Sequence, residues 1–169
     1  MRANTGGKNN GTGMPPPGLP DLPISSHANL VTASGLAQLQ ARREDALLRL
    51  DALGAADTLG RDYLARHLRW LEARIETAVP VGPRMEARDR AGFGAWVELR
   101  QGDGRQERLR IVGEDEADPL HGLLSWISPL AHALEGARVG ERVRWRRADE
   151  DMEVELLGVD YQDEPGAHH

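Results

Sequence analysis

The densest group of potential metal-binding side chains in this sequence is an acidic run. Four carboxylates, at Glu114, Asp115, Glu116 and Asp118, lie within five consecutive residues. Carboxylate oxygens are the ligands that hard cations such as Mg²⁺ and Ca²⁺ prefer. Runs of like charge are nevertheless usually solvated, and this one lies between two predicted strands. We therefore interpret it as a solvated turn and not as a metal site.

The rest of the sequence offers little for metal or nucleophilic chemistry. It contains no cysteine, which excludes disulfides, thiolate zinc sites and a cysteine nucleophile. Among its six histidines, the terminal residues 168 and 169 form the one pair at close spacing, so the sequence predicts no histidine metal site. We therefore expect no metal site and no cofactor of the chain's own.

Two further acids, Asp57 and Asp62, lie beside a predicted turn between two helices. Asp57 is placed to cap the second helix by accepting a hydrogen bond from a free backbone N–H. Asp62 follows near the same helix N-terminus, where the helix dipole favours a negative side chain. Both acids thus have a structural explanation that requires no bound ligand.

Two apolar stripes predict an antiparallel helical hairpin over residues 31–79. The first helix has Thr32 or Ser34 as its N-cap, ends near Gly54, and carries a stripe at Leu36, Leu39, Ala46, Leu50 and Leu53. The second carries a stripe at Leu64, Leu68, Leu71, Ile75 and Ala78. Each helix of about 20 residues would be about 30 Å long. Pro80 and Pro83 are expected to end the second helix and form a hinge.

The pattern changes at residue 84, and residues 84–162 are predicted to form a small antiparallel sheet with one short helix. Strands are expected at 93–99, 107–112, 123–127, 143–147 and 153–161, with a hairpin turn at 101–104. Ser128 is the expected N-cap of the short helix, and Pro129 its first residue. The predicted fold class is α+β.

The flanking residues and the bulk composition limit the other possibilities. Residues 1–30 are rich in Gly, Asn and Pro, which predicts a disordered leader, and residues 163–169 form a short tail. The net charge of −6 argues against a protein that coats nucleic acid. No apolar run is long enough to span a membrane or serve as a signal peptide, so we expect a cytoplasmic protein.

Three strings in the C-terminal half resemble the C-terminal domain of the GreA/GreB transcript cleavage factors. They are IVGEDEAD at 111–118, ISPLAHALEG at 127–136 and VGERV at 139–143. Residues 93–97 are similar to the family's first strand, and Tyr161 to its closing one. Residues 32–39 resemble the opening of the family's coiled coil, and residues 72–79 its end. The resemblance covers about residues 30 to 162.

The resemblance implies an FKBP-like domain that docks at the rim of the secondary channel of RNA polymerase, with a coiled coil that reaches down the channel. Acids at the coiled-coil tip would help to hold a second Mg²⁺ in the polymerase active site, where it activates water to cut backtracked RNA. By position, Ser128, Pro129 and Leu130 would contact the polymerase, and Asp57 and Asp62 would be the tip acids. Such a protein is a monomeric cofactor of the polymerase and not itself an enzyme.

Two departures from the family pattern bear on cleavage. Residues 55–63 lack the family's paired tip acids, and the span 32–78 is shorter by about twenty residues, which removes about 16 Å of reach. Ile127 also replaces a residue that is usually polar before the Ser-Pro pair. We therefore expect a polymerase-binding regulator whose stimulation of cleavage is doubtful.

Two alternatives stay open. One is an active factor that rescues arrested complexes with Asp57 or Asp62. The other is a prolyl isomerase, suggested by the FKBP-like domain. Its usual aromatic pocket is hard to build from one Phe and two Tyr.

Overall fold

Two amphipathic segments form the predicted antiparallel helical hairpin. The computed structural model describes residues 18–84 and 86–162, so residues 1–17 of the predicted leader and the tail at 163–169 lie outside the described residues. Helix α1 spans Ala33–Ala52 and helix α2 spans Thr58–Glu76. The backbone N–H of Gly35 donates to Thr32 Oγ1 (2.9 Å), and that of Gly60 donates to Asp57 Oδ1 (2.9 Å). Of the two predicted caps of the first helix the structure selects Thr32, and the predicted cap Asp57 is confirmed.

The predicted apolar stripes pack against each other and hold the two helices together. Arg43, which interrupts the first stripe, lies 3.6 Å from the Glu72 carboxylate on the opposite helix. Neither helix is apolar enough along its length to cross a membrane, and the same holds for every helix in the described ranges. The buried residues of this core are Val31, Leu39, Ala46, Leu68 and Leu71.

The base of the hairpin differs from the prediction. Strand β1 (Leu30–Val31) pairs in parallel with strand β2 (Val79–Pro80). The N–H groups of Val79 and Val81 donate to Asn29 O (2.8 Å) and Val31 O (2.9 Å), so the ladder does not use the position where proline lacks an N–H. The end of the predicted leader and Pro80 of the predicted hinge are thus ordered parts of one short sheet. Their backbone groups are paired because the chain enters and leaves the hairpin at the same place.

A second, five-stranded sheet forms the C-terminal domain. Its order is β5-β4-β3-β7-β6, and all neighbours are antiparallel except β4 and β5, which are parallel. The predicted α+β class is confirmed, and the sheet is antiparallel as predicted except for the parallel pair β4 and β5. The chain reaches β5 through a crossover at 113–122 instead of a tight hairpin. Strand β5 therefore runs in the same direction as β4. The strands are β3 (Trp96–Gln101), β4 (Gln106–Val112), β5 (Leu123–Ser125), β6 (Arg142–Arg147) and β7 (Glu150–Asp160).

One helix, α3 (Pro129–Leu134), covers the apolar face of this sheet. Alternate residues of β7 face the core, as the sequence predicted, and both Val154 and Leu156 are buried. Tyr161 closes the domain by donating its hydroxyl hydrogen to Arg90 O (2.8 Å), and burial raises the pKa of the Tyr161 hydroxyl. The other large side chains of this core that are buried almost completely are Val97, Leu99, Ile111 and Leu134.

Candidate functional site

The first candidate site is the corner that leads from β5 into α3. The backbone N–H of Ser128 donates to Ser125 O (3.0 Å), which turns the chain out of the sheet. The Ser128 hydroxyl accepts from the N–H of Ala131 (3.3 Å) and caps α3, with Pro129 as its first residue. The predicted cap is confirmed, and the corner has a fixed backbone shape.

The three residues expected to contact a partner do not lie together on the surface. Pro129 is exposed and Ser128 is half-buried. Leu130 is only 7% exposed and belongs to the core of the C-terminal domain. The prediction that Leu130 offers a contact surface is therefore corrected, because the first turn of α3 points this side chain at the sheet.

Aromatic side chains flank the same corner. The indole of Trp126 lies near the rings of both His132 and His27, with centroid distances of 6.4 and 6.5 Å. The indole N–H of Trp126 is buried and has no hydrogen-bond partner within the described part of the chain. Because His27 precedes the hairpin in sequence, the segment before β1 contributes to this corner.

The second candidate site is the tip of the hairpin, where Asp57 and Asp62 lie. Both residues are exposed, and one Asp57 oxygen already caps α2. No group of three or more His, Cys, Asp or Glu side chains capable of holding a metal occurs in residues 18–84 and 86–162. The tip therefore supplies separate carboxylates and does not form a metal site of its own.

Apolar side chains dominate the surface of the tip. Leu59 and Tyr63 are 71% and 60% exposed, and Leu48 is 72% exposed. Leu59 and Tyr63 line a surface groove of about 650 Å³ between the ends of the two helices. The Arg66 guanidinium lies 4.8 Å from the centre of the Tyr63 ring. This surface is suited to apolar or aromatic contact and offers little for metal binding.

The third candidate site is the junction between the hairpin and the C-terminal domain, and it contains the acidic run. Arg74 of α2 is 2% exposed. Its Nε donates to Asp115 Oδ2 (2.6 Å), and its Nη2 donates to Asn29 Oδ1 (2.7 Å). The same Nη2 lies 3.9 Å from a Glu114 carboxylate oxygen. Two acids of the run therefore face a buried cation.

Glu116 occupies the start of the other helix. It is 8% exposed, and its Oε2 accepts a hydrogen bond from Thr32 Oγ1 (2.5 Å) while Thr32 caps α1. A carboxylate at a helix N-terminus is stabilised by the helix dipole. Residues 114–116 thus contact the first turn of α1 and the last turns of α2 together.

The interpretation of the acidic run as a solvated turn is wrong for residues 114–116. Of the four acids, only Asp118 agrees in part with the predicted turn. Its carboxylate caps a 3-10 turn (Pro119–His121). A hydrogen bond between Asp118 Oδ2 and His121 Nδ1 (2.6 Å) lowers the pKa of Asp118. Sequence reasoning missed the junction because nothing in the local pattern pairs Arg74 with residues about 40 positions away.

Two glycines allow the close approach at this junction. A Cβ atom on Gly113 would lie 2.4 Å from the Leu30 carbonyl oxygen. One on Gly35 would lie 2.6 Å from Glu116 Oε2. At Gly113 the neighbour is backbone, so this position requires the absence of a side chain, whereas at Gly35 an added Cβ would displace the Glu116 carboxylate from its place.

Comparison with known families locates a match in the C-terminal domain. Residues 86–161 match the family described as transcription elongation factor, GreA/GreB, C-term. The chain is 45% identical over 97 residues to transcription elongation factor GreB of Neisseria meningitidis, which covers 57% of this chain and 60% of that protein. It is 38% identical over 98 residues to GreB of Pseudomonas aeruginosa, with 58% of each chain covered. The match thus spans about three fifths of these relatives.

Solved structures give a longer but weaker likeness. GreA factor homolog 1 of Thermus thermophilus is 21% identical, with 79% of this chain and 99% of that chain covered and a TM-score of 0.39. A GreA/GreB structure from Nitrosomonas europaea is 20% identical, with 80% and 99% covered and a TM-score of 0.40.

The two tip acids should differ in their effect on stability. Asp57→Ala removes the acceptor for the Gly60 N–H, so the free energy of unfolding should fall by about 1 kcal/mol. Asp62→Ala should change it by less than about 0.5 kcal/mol, as exposed positions usually do. Thermal unfolding of both variants measures the difference, and faster amide exchange at Gly60 in Asp57→Ala alone would identify the lost cap. Equal effects would contradict the assignment.

The close approach at Gly113 predicts a larger loss. In Gly113→Ala the added methyl group must displace the β1 backbone, so the free energy of unfolding should fall by about 1–3 kcal/mol. Gly54→Ala is the matched control, since a Cβ there meets nothing within 4 Å. Urea unfolding of the two variants tests the prediction, which fails if Gly113→Ala is as stable as the control.

Proposed function

We propose that this chain is a transcription elongation factor of the GreA/GreB type that acts on RNA polymerase, since its residues 86–161 match the C-terminal domain of that family. The match of the C-terminal domain to this family is the observation that carries the proposal. In this proposal the domain docks at the rim of the secondary channel, and the hairpin extends into the channel. The protein works in the cytoplasm as a monomer and is not itself an enzyme.

The corner at Ser128 and Pro129 is the proposed point of docking. Its backbone is fixed by the cap of α3, and Pro129 presents a rigid exposed ring. Leu130 supports this corner from the core instead of contacting the polymerase. A preorganised surface of this kind loses little conformational entropy on binding.

Stimulation of RNA cleavage does not form part of the proposed function. The helices of 20 and 19 residues give a hairpin only about 30 Å long. At its tip one exposed acid already caps a helix, and neither acid belongs to a group of three or more metal-binding side chains in the described residues. The tip thus offers at most one or two carboxylates to a shared Mg²⁺. We propose instead that the hairpin occupies the channel and competes with factors that do stimulate cleavage.

Docking can be tested by a substitution at Pro129, with the same substitution at a comparable proline as the control. Pro129→Glu keeps a side chain that helix N-termini tolerate but places a charge in the proposed interface, so affinity for core polymerase should fall at least about tenfold. Pro119→Glu is the control, because Pro119 is also an exposed first residue after a capping side chain. Binding is measured by fluorescence anisotropy, with circular dichroism to verify folding. Wild-type protein that shows no binding at micromolar concentration would refute the proposed partner.

The second test uses a polymerase complex stalled with backtracked RNA. The protein alone should not accelerate release of short 3′ RNA fragments above the rate of the polymerase, and it should slow release driven by an added cleavage factor. If the wild type releases fragments and the double variant Asp57→Ala with Asp62→Ala does not, the protein is instead an active cleavage factor that uses these acids. If that double variant releases fragments as fast as the wild type, neither acid takes part.

A further inference from the structure

We propose that Arg74, Asn29, Asp115 and Glu116, which we term the hairpin clasp, are positioning residues that set the direction in which the hairpin leaves the C-terminal domain. The claim that this direction matters when the protein is bound to RNA polymerase rests on the proposed function. The direction itself is a property of the free chain and can be measured without a partner.

The clasp holds both ends of the hairpin. At the entry to α1, the Thr32 hydroxyl donates to Glu116. At the exit of α2, the Asn29 side-chain amide donates to Arg74 O (2.7 Å) and to the Thr77 hydroxyl (3.2 Å). A hairpin whose base is held at only one helix can pivot. A hairpin held at both the entry to α1 and the exit of α2 keeps its direction.

The acids of the clasp are joined rigidly to the docking corner. They lie in the turn after β4, three and four residues beyond Val112, and Val112 pairs with Ser125 of β5. The backbone N–H of Trp126 then donates to Val112 O (2.9 Å), two residues before Ser128. The clasp acids and the corner therefore lie in the turns that follow two paired strands, and the hydrogen bonds of these strands connect them.

The charge arrangement makes the clasp specific for arginine. The guanidinium donates in two directions at once, from Nε to Asp115 and from Nη2 to Asn29. A lysine ammonium is a compact point charge without this planar geometry. A Glu114 oxygen is also buried without a hydrogen-bond partner in the described residues, 3.9 Å from Arg74, so it depends on the cation for compensation. Loss of the guanidinium geometry should therefore loosen the junction even when the charge is kept.

The direction of the hairpin matters even though the hairpin is short. Over a lever of about 30 Å, a change of about 10° at the base moves the tip by about 5 Å. That displacement exceeds the width of a side-chain contact. Control of the angle at the base thus decides what the apolar tip touches.

The chain suits a direct measurement of this angle because it contains no cysteine. Spin labels are attached to Leu59→Cys at the tip and Gln106→Cys on β4, both exposed positions. Double electron–electron resonance then gives the distance distribution between the tip and the C-terminal domain. In the otherwise unaltered chain we expect one narrow distribution. In Arg74→Lys we expect it to broaden, or to shift, by about 5 Å or more.

The control is Arg69→Lys, which alters an exposed arginine of the same helix that pairs with Asp21 (2.8 Å) and should leave the distribution unchanged. Asp115→Asn is a milder second variant, which keeps an acceptor for Arg74 Nε and covers the case in which Arg74→Lys does not fold. A distribution in the folded variants identical to that of the unaltered chain overturns the proposal, whatever their thermal stability.

A polymerase arm separates this inference from the proposed function. If both hold, Arg74→Lys should bind core polymerase within about threefold of the wild type, because the docking corner is intact, but should lose most of its ability to slow an added cleavage factor. If the wild type does not bind polymerase, the proposed function fails while the spin-label result still decides the clasp. Unimpaired competition by a variant with a broadened distribution would show that direction is not used on the polymerase.

Discussion

A guanidinium group that leaves water loses strong hydration, and the protein must replace it. For Arg74 the replacement comes from three side chains in two parts of the chain: the carboxylate of Asp115, the amide oxygen of Asn29 and the nearby charge of Glu114. Removing one member of a buried ion pair commonly costs about 3–5 kcal/mol, because the other is left uncompensated. The position of the hairpin on the C-terminal domain depends on these contacts, since they join elements that share no common hydrophobic core.

The two hydrophobic cores are separate, and this gives the junction its importance. One core lies within the hairpin and the other between the five-stranded sheet and α3. Burial of apolar surface stabilises each part but is non-directional, so it does not fix an angle between them. Hydrogen bonds and ion pairs are directional. Gly113 lets two backbone segments come close at the junction, and Gly35 leaves room for the Glu116 carboxylate. The docking corner and the tip are thereby connected through polar contacts.

In a cleavage factor of the GreA/GreB type, the C-terminal domain would dock on the polymerase and the hairpin tip would be the part that acts in cleavage. These two regions differ in how well they agree with the family pattern. The corner at Ser128 and Pro129 has a defined cap and an exposed surface. The tip presents Leu59 and Tyr63 around a groove, and no group of three or more metal-binding side chains lies there in the described residues. This difference between the corner and the tip supports the proposed role as a regulator that occupies the channel. The corner offers a surface for docking, whereas the tip offers little for stimulating RNA cleavage.

The sequence alone determined the features that depend on near neighbours. Thr32, Asp57 and Ser128 were predicted as caps because each hydrogen bond spans three residues. The two helices and the alternation in β7 followed from periodic burial, and the motifs at 111–143 indicated the family. Only the tertiary structure decided the parallel pairing of β5, the burial of Leu130 and the role of the acidic run. Those features depend on which distant segments meet, and a charged side chain has the same local pattern whether it faces water or a buried arginine 41 residues away.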